Sequence, residues 1–300
     1  MRLFFLFFML PLILVAGCHD YSSAPMIPQD DAVNPNSEIM PENDEVVTLN
    51  LPTVPEVTWF DAVPAHTRYG ETIRMRARVQ EANRRGDSPG EVGFFDGEIH
   101  LATVPIDAEN GAVFEISTLE PCRHLLSARY VGIDSLGNTY VSEKSFVAIV
   151  TNDAENARSE GYWQHQCSGF SSAEIDIETM ECYLSIVGEA SGVFSEIHDV
   201  TTISSTYEVL FMGGNKGSAL EQFDRELLVA WLNYANGAFG YGELLCANKD
   251  CTRKMHFFSV MMDIELFRLK SNATKKEIKD VMQILHHLNN MVAPTTDRMR

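Results

Sequence analysis

Short stretches of alternating apolar and polar residues fill the first half of the chain, from residue 54 to 151. In the clearest stretch, Thr72 to Val79, arginines alternate with apolar residues, which places alternate side chains on opposite faces of a strand. Asp96-Gly97 and Asn110-Gly111 are dipeptides that favour tight turns between strands. The pattern predicts about seven short strands, which is typical of a β-sandwich.

Beyond residue 161 the apolar residues recur every three to four positions, which predicts helices with one buried face. Residues 171–174, 218–221 and 274–277 match the Ser/Thr-x-x-Glu capping box that starts helices. A further apolar helix is predicted from Met255 to Leu269, and the β-branched residues within 192–214 favour extended chain. The predicted buried residues are Ile177, Met180, Leu184, Val187, Leu220, Phe223, Leu227, Trp231, Ala235, Ile278, Val281, Met282, Leu285 and Leu288.

The amino-terminal stretch has the pattern of a secretion signal. A short basic start, Met1-Arg2, is followed by an apolar run and by small residues before Cys18. The run is shorter than the roughly 20 apolar residues that a membrane-spanning helix needs. Its end, Val-Ala-Gly-Cys, resembles the lipobox of bacterial lipoproteins. This resemblance implies that residues 1–17 are removed and that Cys18 carries the lipid, palmitate included.

The net charge of the chain limits the classes of molecule that it is expected to bind. The net charge is −19 at pH 7, and the segment 1–17 contributes only one positive residue, Arg2. Nucleic acid is therefore not an expected partner, because binding its phosphates requires Lys and Arg. Residues 19–53 contain seven acidic residues and no Lys or Arg. This composition predicts a disordered acidic tether over residues 18–53.

The chain has six cysteines, and the secretion signal places them in an oxidising compartment, where disulfides are expected. If Cys18 is the anchor, five remain, so one is free or pairs with another chain. Their connectivity does not follow from the sequence. The candidate pairs by spacing are Cys246–Cys251 and Cys167–Cys182, which leaves Cys122 over.

One group of motifs resembles the bacterial immunoglobulin-like repeats of secreted and surface proteins. It comprises the segments 94–97 and 101–103 followed by His124, Ala128 and Tyr130. The resemblance implies a stalk, spacer or adhesion module and supplies no catalytic residue. The chain departs from the repeat by having a cysteine near the usual glycine of one turn, and it lacks the Cys…Trp…Cys spacing of antibody domains. His124 is interpreted as a strand-edge residue.

A second group resembles a module of bacterial secreted proteins that has no defined activity. That module begins with Gly-Tyr-Trp-Lys-x-His and ends with a Leu-Asn-x-Ala-x-Gly helix terminus. Here the opening string is Gly161-Tyr162-Trp163-Gln164-His165, in which glutamine replaces the usual lysine, and the helix spans residues 227–237. Trp231, on the apolar face of this helix, is interpreted as a core residue.

No known catalytic motif occurs in the chain, so no catalytic residue and no cofactor are predicted. His-Glu-x-x-His, Gly-x-Ser-x-Gly and the phosphate-binding Gly-x-x-x-x-Gly-Lys-Ser/Thr pattern are all missing. The weak metal candidates are His165 and Cys167, joined by Cys182 or His256, because imidazole and thiolate suit zinc. The expected alternative is that Trp163 and His165 pack and hydrogen-bond at the start of the second domain.

Together these features predict a multidomain fold class: an all-β immunoglobulin-like sandwich over 54–151 and a mainly α-helical C-terminal domain over 161–300. The expected function is that of a non-enzymatic envelope or cell-surface lipoprotein with a binding, structural or adhesion role. Its expected partners are the lipid bilayer, reached through Cys18, and a protein or polysaccharide ligand. His19 stands where inner-membrane lipoproteins carry a retention Asp, which favours the outer membrane. The alternatives are a carbohydrate-processing accessory or hydrolase with its site in the helical domain, and a metal-binding protein.

Overall fold

The computed structural model describes residues 55–80, 90–133, 138–154, 156–169, 173–212, 217–246, 252–270 and 273–291. All of them belong to one compact unit, Leu51–Arg300. The predicted signal peptide and the whole of the predicted tether lie outside these ranges. The strands are β1 Glu56–Val63, β2 His66–Arg68, β3 Ile73–Gln80, β4 Glu91–Asp96, β5 Ile99–Pro105, β6 Gly111–Ile116, β7 Cys122–Ile133, β8 Thr139–Thr151, β9 Leu244–Cys246 and β10 Lys254–His256. The helices are α1 Glu160–Cys167, α2 Ile177–Ala190, α3 Gly192–Glu196, α4 Ile203–Phe211, α5 Ala219–Ala235, α6 Phe257–Leu269 and α7 Lys275–Asn289.

Two sheets share the first hydrophobic core. One has the order β1-β3-β6, and the other has the order β2-β8-β7-β4-β5. Phe60 of the first sheet and Phe94 of the second contact each other with ring centroids 6.3 Å apart. On β3 the residues Ile73, Met75, Ala77 and Val79 are buried, whereas the arginines between them are not. The predicted period-two pattern is therefore confirmed in this strand.

The predicted turns occur where Gly and Asn provide a left-handed backbone. Asp96 pairs with Ile99 across a two-residue turn in which Gly97 has φ +54°. The loop before β6 contains Asn110, with φ +64°, and Asp107 accepts backbone hydrogen bonds there from two later residues. Asn tolerates this region because its short polar side chain bonds locally.

Two of the three predicted capping boxes are confirmed, at Ser218 before α5 and at Thr274 before α7. Helix α2 instead begins after Asp176, whose side chain accepts a hydrogen bond from the Thr179 amide. Residues 171–172 of the third predicted box lie outside the described ranges. Ile177 and Leu220, which were predicted to be buried, are 69% and 39% exposed.

The segment 192–212 forms α3 and α4 and no strand; of the residues that favour extended chain, Thr202 is extended as the N-cap of α4, whereas Ile203 is helical. Thr202 and Ser205 form a reciprocal capping box at the start of α4. This cap satisfies amides at the helix terminus. It therefore outweighs the weak preference of the β-branched residues for strands.

The predicted fold class, an all-β immunoglobulin-like sandwich plus a mainly α-helical C-terminal domain, is wrong. Strands and helices mix within one compact unit. Ile149 of β8 is buried in the core that the helices form, a disulfide joins Cys122 of β7 to Cys182 of α2, and β9 pairs with β10 among the helices. Because β8 contributes Ile149 to the helical core, its last residues pack against the helices. The predicted segment bounds themselves stay a prediction.

Candidate functional site

The link between β8 and α1 is held against the carboxyl end of α5. The Asn152 and Ala154 amides donate to the carbonyls of Ala235 and Asn236, each at 3.0 Å. Gly237 follows with φ +85°, and a Cβ at this position would overlap the Asn152 carbonyl. A glycine is therefore required here both by the backbone conformation and by the close approach of the link.

Asn233 joins the two strings of the secreted-protein resemblance. Its side-chain oxygen accepts from the Trp163 indole at 3.1 Å and from the Arg158 amide at 2.7 Å, and its amide donates to the Arg158 carbonyl at 3.0 Å. Asn233 and Trp163 are both fully buried. The two motifs therefore meet as a structural connection that holds the link and α1 on α5.

A pocket of about 560 Å³ opens beside this junction. After β1 the chain crosses from one sheet to the other, and β2 then pairs in parallel with the end of β8. This crossing places His66 and Arg68 opposite the turn that follows α5. The main lining side chains are His66, Arg68, Glu71, Tyr241 and Glu243. Pockets at the meeting point of structural elements are the usual place for small ligands.

The aromatic side of the pocket is uncharged at neutral pH. Nδ1 of His66 lies 2.7 Å from the hydroxyl of buried Tyr234, and the His66 ring stacks on Tyr241 with centroids 3.7 Å apart. Burial lowers the pKa of His66 to about 4, against a smaller upward effect of the Glu189 carboxylate. Burial also raises the pKa of Tyr234. His66 and Tyr234 therefore form a neutral hydrogen-bonded pair.

The polar side of the pocket carries both signs of charge. The guanidinium of Arg68 donates to Glu243 at 2.9 Å, and the Arg68 amide donates to Glu71 at 2.9 Å. Burial acts to raise the pKa of Glu71, but the hydrogen bonds from the Arg68 amide and Thr67 outweigh it and lower that pKa. An aromatic surface with fixed donors and acceptors suits a small polar ligand without net charge.

A second cleft, of about 740 Å³, lies between α2 and α3. His198 lines it and contacts buried Asp224, with Nε2 2.8 Å from a carboxylate oxygen. Arg268 donates to the same carboxylate through two nitrogens. Burial acts to raise the pKa of Asp224, but the bonds from Arg268 and His198 outweigh it and lower that pKa. Asp224 therefore stays ionised and orients the imidazole at the cleft.

The two weak metal candidates are not brought together. His165 is exposed on α1, whereas Cys167 is buried in the helical core. Burial raises the pKa of the Cys167 thiol to about 12, so the thiolate that zinc prefers is not formed at neutral pH. Within the described ranges, no group of three or more His, Cys, Asp and Glu side chains is placed to hold a metal ion.

The predicted Cys167–Cys182 disulfide is wrong. Cys182 pairs with Cys122, and Cys167 is a free cysteine. The reason is that α2 packs against β7, which brings these two cysteines together across the structure. Cys246 is disulfide-bonded, and its predicted partner, Cys251, lies outside the described residues, as does Cys18.

The interpretation of His124 as a strand-edge residue is also wrong. It is buried in β7, the middle strand of its sheet. Its Nδ1 lies 2.6 Å from Asp96, and its Nε2 lies 2.8 Å from the carbonyl of Glu120. Burial opposes the charged ring, but these contacts outweigh it and raise the pKa of His124. Trp231, interpreted as a core residue, is 2% exposed and donates to Glu265.

No sequence pattern predicted the pocket that His66 and Tyr241 line. His66 and Tyr241 are far apart in the chain, and neither lies in a known motif. The local signal was the pair Gly240 and Gly242 on either side of Tyr241, which indicates a turn but not its partner.

No model of a known protein family matches the chain, and no curated protein matches it. Among solved structures, a Corynebacterium diphtheriae protein whose name describes it as membrane-anchored is 23% identical, with a TM-score of 0.27; the match covers 33% of this chain and 22% of that one. The N-terminal Ig1-2 module of the Drosophila receptor protein tyrosine phosphatase DLAR is 13% identical, with a TM-score of 0.24, and the match covers 35% and 53% of the two chains. This chain thus spans about a fifth and about half of these proteins. Neither TM-score establishes a shared fold.

Proposed function

We propose that the protein is a non-enzymatic lipoprotein of the bacterial envelope, anchored through acylated Cys18, whose folded part has a binding or structural role. The observation that carries the proposal is the junction at Asn233. The most distinctive strings of the sequence, around Trp163 and at residues 233–237, are used to fasten the link between β8 and α1. A structural use of these strings supports a binding or structural role.

The anchor is supported by the lipobox-like sequence that ends at Cys18. None of the described helices is long and apolar enough to cross a membrane. A single acyl chain binds a bilayer only marginally, so stable anchoring needs the further acyl chains that lipoproteins carry. Outer-membrane sorting is the finer part of the proposal and depends on His19.

The anchor is tested by labelling cells with an alkyne analogue of palmitate. The wild-type chain should carry the label and partition with membranes, whereas Cys18→Ser should do neither. A matched control is Cys167→Ser, because Cys167 is buried and should leave labelling unchanged. Label on the Cys18→Ser variant would overturn the proposal.

The side of the membrane is tested by treating intact cells with protease and identifying released peptides from residues 54–300. Release from unbroken cells supports surface display and an adhesion role. Release only after the outer membrane is opened excludes adhesion and supports a periplasmic scaffold.

The second candidate function is a hydrolase or carbohydrate-processing accessory, and the arrangement of His198 and Asp224 favours it. A buried carboxylate that orients an imidazole at a cleft is the arrangement of a general base and its orienting group. Arg268 also binds this carboxylate, so the same cluster joins α6 to α5. Turnover of envelope polysaccharides that is lost in His198→Ala, with the folded fraction unchanged, would establish this candidate.

A further inference from the structure

The outer face of the three-stranded sheet differs in charge from the rest of this acidic chain. Arg74, Arg76 and Arg78 lie in a row on the outer face of β3, the central strand. Residues spaced by two along a strand are about 7 Å apart, so Arg74 and Arg78 are separated by about 14 Å. On the adjoining strands, Asp61 and Glu115 are each paired with one of these arginines, and exposed Glu56 lies opposite Gln80, beyond the end of the row. We call this surface the arginine face.

The three arginines differ in how firmly acidic side chains bind them. Asp61 binds the guanidinium of Arg76 through two oxygens, which holds it 5.2 Å from the centre of the Trp59 ring. Arg74 and Glu115 are 3.6 Å apart, and both side chains are more than half exposed, so water and salt weaken their attraction. Among the described residues, Arg78 has no ion-pair partner. Two guanidinium groups are therefore available to another molecule, one at each end of the row.

Large apolar side chains lie between and beside these charges. Trp59, Val63 and Val113 are 45%, 49% and 40% exposed. Their registry partners are Arg78 for Trp59, Arg74 for Val63 and Arg76 for Val113. Trp and Arg dominate the binding energy of protein interfaces. The outer face of the other sheet also has an arginine above an aromatic ring, but there Arg129 is bound by both Glu98 and Glu143.

We infer that the arginine face binds an extended acidic polypeptide segment. Such a segment carries carboxylates at positions i and i+4 and an apolar side chain at i+2. An extended polypeptide repeats its side chains on one side every ~7 Å, which matches the row on β3. The carboxylates pair with Arg74 and Arg78, and the apolar residue lies midway between them, at the level of Arg76 and its registry partner Val113. The inference deepens the proposed binding role and rests on it.

The size of the face sets the expected strength. Three strands are about 14 Å wide, and the footprint is on the order of 400 Å², about half the area that each partner contributes to a standard interface. Weak and salt-sensitive binding follows, with a Kd of about 10–100 µM at low salt.

The test uses the full mature chain in detergent and measures fluorescence anisotropy. The probe is a labelled extended peptide with Glu at i and i+4 and Val at i+2, and a peptide of the same composition with adjacent glutamates serves as comparison. The double variant Arg74→Glu/Arg78→Glu should lose about tenfold or more in affinity. The matched control Lys276→Glu/Lys279→Glu, which changes exposed charges on α7 by the same amount, should lose less than about twofold. Arg78→Gln alone, which removes no ion pair, keeps the test valid if the double variant folds poorly.

Three outcomes would overturn the inference: no binding of the alternating peptide, equal losses in the two double variants, or equal binding of both peptides. Displacement of the probe by an oligogalacturonide at a lower concentration than by the unlabelled peptide would assign the face to an acidic polysaccharide, and the polypeptide would be rejected. None of these peptide results affects the labelling of Cys18. A Cys18→Ser variant that is still anchored would overturn the proposed function, whatever the result with the peptide.

Discussion

The two cores of this molecule are stabilised by polar groups in different ways. The core between the two sheets is almost entirely apolar, with His124 as its main buried polar exception. The helical core instead surrounds a set of buried polar side chains that includes Asp224, Asn233 and Glu265. Sheets satisfy their backbone groups through the ladder itself, whereas helix ends and links leave amides and carbonyls that need side-chain partners. Single polar substitutions should therefore matter most among the helices.

Glu265 shows what these side chains do. Its carboxylate accepts hydrogen bonds from the Ser191 hydroxyl at 2.6 Å, the Trp231 indole at 2.7 Å and the Val193 amide at 2.9 Å. One buried side chain thus joins α6 to α5 and satisfies an amide at the start of α3. Such fully satisfied buried networks rigidify a core, whereas a partly satisfied one is costly.

The largest expected difference in stability is between substitutions in two Asp–Arg pairs, one in the sheets and one among the helices. Asp224 is 3% exposed and binds Arg268, whereas Asp61 is 20% exposed and binds Arg76. Asp224→Asn should lower the free energy of unfolding by about 3–5 kcal/mol, because it leaves a buried guanidinium without its counter-charge. Asp61→Asn should cost less than about 1 kcal/mol, because water screens that pair. Urea denaturation of both variants measures the difference.

The control for this prediction is the double change Asp224→Asn/Arg268→Met. It removes the buried charge as well as its partner, and should recover part of the loss. Similar losses for Asp61→Asn and Asp224→Asn would show that the two halves do not differ in the way proposed.

A smaller effect contrasts two glycines with positive φ. Gly237→Ala should cost about 2–4 kcal/mol, because the new Cβ meets the Asn152 carbonyl as well as forcing an unfavourable backbone conformation. Gly97→Ala should cost only about 1 kcal/mol, because no atom lies within 4 Å of its Cβ position. Thermal denaturation should therefore separate the two variants. Equal shifts in Tm would contradict the tight seating of the link on α5.

The smallest effect concerns two histidines whose pKa values move in opposite directions. The pKa of His66 is lowered to about 4 in the folded state, so the unfolded chain takes up a proton first and stability falls as pH drops from about 6.5 towards 4. His66→Gln should flatten this fall by about 1–2 kcal/mol, less than full linkage because the ring is partly open to solvent.

His124 should show the reverse dependence. Its pKa is raised in the folded state, so its contribution to stability is full below the unfolded pKa of about 6.5 and is lost as pH rises through the folded pKa. His124→Gln should remove that loss at higher pH. Urea midpoints measured across pH 4–8 for both variants check the pair, and parallel profiles would contradict it.

Local patterns predicted the elements well where one residue type decides the backbone. The Ser218 and Thr274 caps, the Gly97 turn and the alternation in β3 all follow from short-range chemistry. Leu220 was misplaced because helical spacing fixes a face only to within a residue or so, and the first turn of α5 lies partly outside the core.

The fold class and the candidate site could not be predicted because both depend on contacts between distant residues. Spacing favoured Cys167 as the partner of Cys182, but packing of α2 on β7 selected Cys122, 60 positions away. His66 reaches Tyr234 and Tyr241 only because the chain crosses between sheets after β1. The periodicity of a single segment carries no information about such contacts between distant residues.

The Cys122–Cys182 bond also determines how proteolytic fragments of this protein migrate on a gel. It closes a covalent ring that contains β8, the link and α1. A trypsin cut after Arg129, Lys144 or Arg158 falls inside that ring, so both pieces stay joined and migrate as one band until the disulfide is reduced. Gels run with and without a reducing agent would therefore disagree, and only the reduced sample would reveal which of these bonds a protease can reach.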